Sequence, residues 1–482
     1  MALSPRKALD AAQNVMGARR AEAARLDYIA GALNPRRFSH DLVVPASNAG
    51  TFTRYGEPTV ELPKNASPTL QRLAWKSRTT FLPLVLDTFS QVMKVDGYPT
   101  QQTDVEGGPW GYAWQPNKLD ARQTGVHRSA LAYGASYVTV MPGDTGPVVS
   151  GYSPREMTAV YGSPTRDDWP MLALTVEGNS IRLYDEEMVY FIGVEKPTPR
   201  TAFNEAATLV TPEGTQWTYL EARPHELGVC PVIRFRDRML LEGDEQFGII
   251  EPLIDIQRRI DETTFGLMVA QYFAAFKQRY IIGWTPEDEA ERLKAVASEY
   301  WSFKDGDVKV GQFDETDLTR YLKSKDSALG DMAAIAQVPA QSLGVEGISN
   351  ISAETLAALE SGKERKSDEI ATSFGESWEQ ALRLAAMIKG DQAAAEDTSS
   401  QVRWKNTSAR SLAQVTDAAV KWVQGLGVNE EIARQWLPGW TDQIEADNKR
   451  LGPSMLAETA DPLSKLMSNI QRQGGTGVGS GA

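Results

Sequence analysis

Two long helical runs on either side of a short insert constrain this chain more than any other feature. Ile249, Leu253, Ile256 and Ile260 follow one another at intervals of four, three and four residues, and Leu267 with the apolar run to Phe276 extends the face. That periodicity predicts one helix over residues 250–279, about 45 Å long at about 1.5 Å per residue. A second helix is expected over 314–337, with Leu318, Leu322, Leu329, Met332 and Ile335 as its apolar stripe. Val338-Pro339 ends it, because proline disfavours the helical conformation of the residue before it. Between the two, Tyr280-Ile281-Ile282 and residues 308–313 read as short strands. Thr285 caps a further helix to about Trp301, with Pro286 at its first position and Glu287 and Asp288 facing the positive end of the dipole. Lys304-Asp305-Gly306-Asp307 is a turn, not a calcium loop, since the alternating oxygen ligands and closing glutamate are not at loop spacing.

The half before this hairpin is mixed. Residues 1–33 suit an amphipathic helix and lack the apolar core of a secretory signal. An apolar helix is expected within 81–93, after Pro83. Residues 129–141 (SALAYGASYVTVM) pass from small residues to alternating β-formers near Gly134, which predicts helix, then strand. Strands follow at 169–176, 181–184 and 188–194, with Gly178-Asn179 as a turn, and again at 229–235. After the hairpin comes a glycine-punctuated loop over 340–351. Ser352 then caps a long helix, with Glu354 in its first turn, that carries Leu356, Leu359, Ile370, Phe374, Trp378 and Leu382 and ends near Gly390. Residues 391–400 read as a linker, 412–422 and 429–436 as short helices, and the glycine-rich 473–482 as a disordered tail. The fold class is therefore α+β. With 482 residues the chain has room for two to four domain-sized units.

The chemistry that is missing narrows function. A net charge of −13 argues against a tight phosphate binder, which needs basic patches, but not against a surface that DNA slides past. The single cysteine, Cys230, precludes an internal disulfide and reads as a small buried hydrophobe. His40, His127 and His225 are far apart, so no histidine-rich metal site is expected. Gly362-Lys363 lacks the first glycine of a phosphate-binding loop, His225-Glu226 lacks a second histidine, and Ser136 sits in no nucleophile elbow. Asp167-Asp168 and Glu186-Glu187 read as solvated turns. No apolar run approaches the ~20 residues that span a bilayer, so a soluble protein without membrane contact is expected. No catalytic residue, metal or cofactor is predicted.

The order of these elements, with residues 224–235 (PHELGVCPVIRF), 251–257 (EPLIDIQ), 335–339 (IAQVP), Leu343-Gly344 and Ser349-Asn350, resembles the portal proteins of tailed bacteriophages, closely those of phages infecting actinobacteria. The resemblance implies a subunit of a dodecameric ring at the capsid vertex of the virion, assembled in the host cytoplasm. Double-stranded DNA would pass through that ring during packaging and ejection. It implies a mixed α/β wing over 1–245, stem helices over 246–279 and 314–339, a small α/β clip over 280–313 and a channel loop over 340–351. A wing helix and linker would occupy 352–400 and a helical wing and crown 401–472. Stem packing would fall to Leu253, Ile256, Ile260, Leu318, Leu322 and Leu329. In the channel loop, Gln341, Ser342, Gly344, Glu346, Gly347, Ser349 and Asn350 would meet DNA. Trp284, Tyr300, Trp301 and Phe303 in the clip would receive the terminase large subunit and the head–tail adaptor, with the major capsid protein and scaffold as further partners. The absent ATPase motif fits a motor on a separate chain. Two alternatives stay open: another head–tail connector or minor capsid protein, and a metal-dependent hydrolase.

Overall fold

The computed structural model describes residues 2–33, 60–63, 65–99, 108–195, 207–211, 214–237, 247–274, 279–282, 309–312, 317–345, 353–405 and 412–435, with a few single positions beyond. The chain divides into two compact units, Met1–Lys405 and Asn406–Ala482.

The first unit opens with helix α1 (Pro5–Leu33), whose Ala8, Leu9, Ala12 and Val15 are buried near one end and Leu26, Ile29 and Ala30 near the other. Helices α2 (Pro68–Lys76) and α3 (Leu82–Ser90) follow, then strand β1 (Val95–Gly97) and a π-helical turn (Trp110–Trp114). Helix α4 (Leu119–Tyr133) gives way to strand β2 (Ala135–Pro142) at Gly134. There the backbone turns left-handed, with φ 92°, a conformation that glycine adopts without steric cost. The sequence switch expected at this glycine is therefore a helix cap.

Strand β2 is the centre of a three-stranded antiparallel sheet, between β3 (Pro147–Tyr152) and β10 (Val232–Arg236). Among the described residues a second, six-stranded antiparallel sheet holds β4 (Met157–Val160), β5 (Leu172–Glu177), β6 (Ser180–Tyr184), β7 (Met188–Glu195), β9 (Gln216–Pro224) and β8 (Thr208–Val210), in that order. The β5–β6 hairpin turns at Gly178-Asn179, as the sequence predicts, with Glu177 paired to Ser180. Strand β5 starts at Leu172 rather than Trp169. Trp169 instead packs, partly buried, against the main core.

One face of the six-stranded sheet (Leu174, Ile181, Leu183, Tyr190, Ile192, Trp217) is covered by the first turns of α1. The other face contributes Ala173, Tyr184 and Val189 to a cluster with Tyr137, Val232 and Cys230. Cys230 is free and buried, and burial pushes its thiol pKa up. It is the small hydrophobe that its apolar neighbours predict.

After a 3₁₀ turn (Glu251–Leu253) come helix α5 (Ile254–Ala274), strands β11 (Arg279–Ile282) and β12 (Lys309–Gln312), and helix α6 (Thr319–Ala336). A second 3₁₀ turn (Ala340–Leu343) precedes helix α7 (Ala353–Lys389), and α8 (Gln392–Glu396) and β13 (Arg403–Trp404) close the unit. Helix α7 returns to the main core, where Ile370, Phe374, Trp378, Leu382 and Ala385 are buried and the helix packs on β10, β2 and the π-helical turn.

At the middle of that core His127 of α4 is fully buried. Its Nε2 accepts a hydrogen bond from the Trp378 indole at 2.8 Å, and its Nδ1 lies 3.2 Å from the Met93 carbonyl. A carbonyl can only accept, so Nδ1 carries the proton and the ring is neutral. Burial lowers its pKa to about 4, against a smaller opposing effect of the Met93 bond. Phe374 stacks on the ring at 5.1 Å.

Residues 391–400 are not a linker. Asp391 caps α8 by accepting from the Ala394 N–H, Asp397 accepts from the N–H groups of Ser399 and Ser400, and β13 then pairs with β1. Arg403 fixes that pairing through Nε to Asp96 Oδ1 at 2.9 Å. The second unit contains α9 (Leu412–Leu426) and α10 (Glu430–Gln435), separated at Gly427, whose φ is 68°.

Candidate functional site

The hairpin of α5 and α6 and the turn that follows carry the residues singled out from sequence. The first helix is shorter than the periodicity predicts. Pro252 sits in a 3₁₀ turn, so the α-helix begins at Ile254, and by Arg279 the chain is already in a strand. Its 21 residues span about 31 Å at about 1.5 Å each.

The buried face of α5 is also rotated from the apolar stripe. Leu253 and Ile260 are fully buried, but Ile256 is only partly so. Gln257, Asp261 and Thr264 share the inner face. These polar groups are buried because the chain at 79–81 offers its backbone to them. Gln257 Nε2 donates to the Thr79 carbonyl at 2.7 Å, and its Oε1 accepts the Phe81 N–H at 2.9 Å. Asp261 Oδ1 accepts the Thr79 N–H at 3.1 Å and Gln257 Nε2 at 2.9 Å. Burial lowers the pKa of the neighbouring Arg78 guanidinium, and Asp261 opposes that effect. At the start of the helix, Arg25 of α1 grips the Glu251 carboxylate through Nε and Nη2, the latter at 2.8 Å. Arg258 lies 5.0 Å over the ring of Tyr28.

The two helices run antiparallel. Arg259 pairs with Asp331, while further along Gly266 faces Tyr321. A Cβ on Gly266 would meet Tyr321 Cε1 at 3.1 Å, so this glycine permits the close approach. Helix α6 begins later than expected. Asp317 accepts the Thr319 N–H at 3.0 Å, and hydrogen bonding from Thr319, its side chain first and then its backbone, holds the Asp317 carboxyl below the usual range. Its apolar stripe differs from the predicted one as well. Leu329 and Met332 are buried with Ala328, Ala333 and Ala336, but Leu318 is half-buried, Leu322 is 49% exposed and Ile335 52% exposed. Among the described residues the main core takes nothing from α5 beyond Ile260 and nothing from α6 before Ala328. The hairpin therefore leaves the core as a helix pair. Its distal ends lead to β11 and β12, which pair antiparallel from Arg279↔Gln312 to Ile282↔Lys309.

At the other end α6 stops at Gln337, whose backbone is left-handed with φ 61°. The Val338 N–H reaches back to the Ala333 carbonyl at 3.0 Å, and Lys366 of α7 donates to the Ala336 carbonyl at 3.2 Å. A buried cation on the last carbonyls matches the negative end of the helix dipole. The expected loop over 340–351 is structured in its first part. Residues 340–343 form the 3₁₀ turn, Leu343 is buried, and Gly344 takes φ 82°. Gln341, Ser342 and Gly344 are exposed. Glu346, Gly347, Ser349 and Asn350 lie outside the described residues, as do Trp284, Tyr300, Trp301 and Phe303.

Sequence reasoning missed Gln257, Asp261 and Lys366. The available signal was the i,i+4 spacing of Leu253, Gln257 and Asp261, which puts all three on one helix face. Asp167 and Asp185 serve turns, accepting the N–H groups of Ser163 and of Glu187 and Met188. Among the described residues no three histidine, cysteine or acidic side chains are grouped to hold a metal, and no helix is long and apolar enough to cross a membrane.

Residues 82–451 match the family described as "Phage portal protein, SPP1 Gp6-like". The portal protein of Mycobacterium phage D29 is 27% identical over 374 residues, and that of Mycobacterium phage L5 is 26% identical over 378. Each alignment covers 72% of this chain and 72% of the relative. Among solved structures, a chain from the neck of an empty GTA particle computed with C6 symmetry overlaps with a TM-score of 0.46 at 13% identity, covering 76% of this chain and 90% of that one. A chain from the neck of a native GTA particle computed with C12 symmetry gives a TM-score of 0.42 at 12% identity, with the same coverage.

Proposed function

The chain belongs to the phage portal protein family, SPP1 Gp6-like, and on that premise we propose that it is the subunit of a dodecameric ring at the capsid vertex, through which double-stranded DNA is packaged and ejected. The observation that carries this reading is the helix hairpin that leaves the main core. Only the inner ends of α5 and α6 belong to that core, whereas Leu322 and Tyr272 on the distal part are 49% and 42% exposed. A helix pair with apolar residues outward suits packing against copies of itself around a ring.

In this reading the pair is the stem and β11 with β12 belongs to the clip. The clip, with Trp284, Tyr300, Trp301 and Phe303 as aromatic anchors, receives the terminase large subunit and the head–tail adaptor. The turn after α6 opens the channel loop. Residues 1–245 together with α7, α8 and β13 form the wing, in contact with the major capsid protein and scaffold, and the unit from Asn406 onward contributes the crown. The subunit carries no catalytic group in this scheme, and the motor is a separate chain. An acidic chain of net charge −13 suits a bore that must not hold phosphates.

Negative-stain imaging of the purified protein tests the assignment. Closed rings with a central hole are expected. A monodisperse monomer at all concentrations and ionic strengths would overturn it.

A further inference from the structure

The chain leaves α6 through a strained joint. Ala336, the last residue of the helix, is 1% exposed. Among the described residues no backbone N–H reaches its carbonyl, as is usual in the last turn of a helix. Gln337, next in the chain, has φ 61° and ψ 38°. Glycine takes this left-handed conformation freely, whereas a residue with a Cβ keeps it only where its surroundings over-determine it. Gln337 is itself exposed, so burial of its side chain does not supply the constraint. Its N–H and that of Val338 reach back to the carbonyls of Ala334 and Ala333, at 3.3 and 3.0 Å.

Lys366 of α7 closes the joint from outside. It is buried, its Nζ donates to the Ala336 carbonyl at 3.2 Å, and the same ammonium lies 5.1 Å from the centre of the Phe89 ring. Beside this bond the two helices stand apart. An open groove of about 470 Å³ is lined by Ala334, Gln337, Leu359, Gly362 and Arg365. A Cβ on Gly362 would come no nearer to α6 than 3.8 Å, at the Gln337 carbonyl. Close apolar packing therefore does not fill this side of the joint. Beyond it the chain folds back into the 3₁₀ turn, where the Ser342 and Gly344 N–H groups bond to the carbonyls of Pro339 and Gln341, each at 3.0 Å, and Leu343 enters the main core.

We propose that Lys366 is a positioning residue for the segment read above as the channel loop, an assignment on which this inference rests. By occupying the Ala336 carbonyl, the ammonium satisfies a buried acceptor and holds Gln337 in its left-handed cap. It thereby fixes the line along which residues 340 onward leave the helix pair. Without it the carbonyl has to turn to water, which carries Gln337 out of the left-handed region and swings the turn. Helix α7 continues into the main core through Phe374 and Trp378, so Lys366 refers the direction of the loop to that core rather than to the hairpin alone.

Hydrogen exchange of the full chain, read by mass spectrometry on peptides within 338–345, tests this. Lys366→Met keeps the length of the stem and removes the charge, so the fold should survive. Exchange at Val338, Ser342, Gly344 and Val345 should quicken by at least about tenfold, while peptides within 370–385 keep the parent's rates. Adding Gln337→Gly should bring exchange back to within about threefold of the parent, because glycine holds the cap unaided. Lys366→Arg can still donate to the carbonyl and should stay protected. A lysine that merely fills space would give neither the local loss nor the rescue by glycine. Exchange is readable on single chains and on rings alike, so a failure here is distinct from a failure to form rings. The proposal is overturned by unchanged exchange over 338–345 in Lys366→Met, by a loss of protection that extends equally through 370–385, or by a double variant that glycine does not rescue.

Discussion

The core around His127 and the distal half of the α5–α6 hairpin treat their large side chains in opposite ways. In the core one chain supplies every partner. Trp114 meets Trp378 edge-on at 5.0 Å, Phe235 meets Trp378 at 4.8 Å, and even the imidazole has both nitrogens hydrogen-bonded. In the hairpin, Leu322 and Tyr272 stay on the surface, and the two helices approach where Gly266 faces Tyr321. The first region has to fold alone. The second leaves apolar side chains at its surface, and on the proposed reading these face the next copy around the ring. Substitutions in the two regions should therefore fail differently: core changes before assembly, hairpin changes at assembly.

The largest effect is expected from Trp378→Ala. Loss of a fully buried indole with its hydrogen bond to His127 should destabilise the chain by about 3–5 kcal/mol. Urea unfolding followed by tryptophan fluorescence measures it. A loss below about 1 kcal/mol would show that the core is not as continuous as its contacts indicate.

Acidification comes next. The pKa of His127 is lowered to about 4 in the fold, against an ordinary value of about 6.5 in the unfolded chain. Between those values the unfolded chain binds the extra proton, so stability is fully present above about pH 6.5 and is lost as pH falls towards about 4. The loss should reach about 3 kcal/mol. Urea titrations across this range on the parent and on His127→Asn separate it from the carboxylates. The variant, whatever its own cost, should lack this part of the pH dependence, and an identical slope would contradict a buried neutral imidazole.

Gln257→Ala should cost less, about 1–3 kcal/mol, because the N–H of Phe81 and the carbonyl of Thr79 lose their partners at the foot of α5. Hydrogen exchange should show residues 79–81 opening first. Unchanged protection there would mean that Asp261 alone holds the segment.

How far the chain could be read from sequence follows the range of the interactions involved. The helix-to-strand switch at Gly134, the β5–β6 turn and the strands around the hairpin are local, set by glycine conformation and by alternation, and they stand where the residues place them. The inner face of α5 was not legible. Gln257 and Asp261 are buried only because residues 79–81, far away in sequence, bring backbone groups to them. The segment 391–400 looked like a linker because its composition is polar. Its order comes from Asp391 and Asp397 accepting backbone N–H groups and from β13 pairing with β1 some 300 positions earlier. The stripe of α6 is uniform in sequence, since periodicity reports which side is apolar but not what covers it. That is why Leu322 and Leu329, alike in sequence, differ so much in exposure.

The smallest effect on the single chain, and the most informative, is expected from Leu322→Asp. Leu253→Asp places a charge in a fully buried position and should unfold the subunit. Leu322 is already 49% exposed, so its replacement should change the stability of the monomer by no more than about 0.5 kcal/mol. Sedimentation velocity on the parent and on Leu322→Asp, with circular dichroism to establish that both are folded, addresses the stem directly. A parent that sediments as a closed ring and a folded variant that remains a monomer is the predicted result; a variant that assembles into rings as fully as the parent would contradict the placement of this helix pair between subunits.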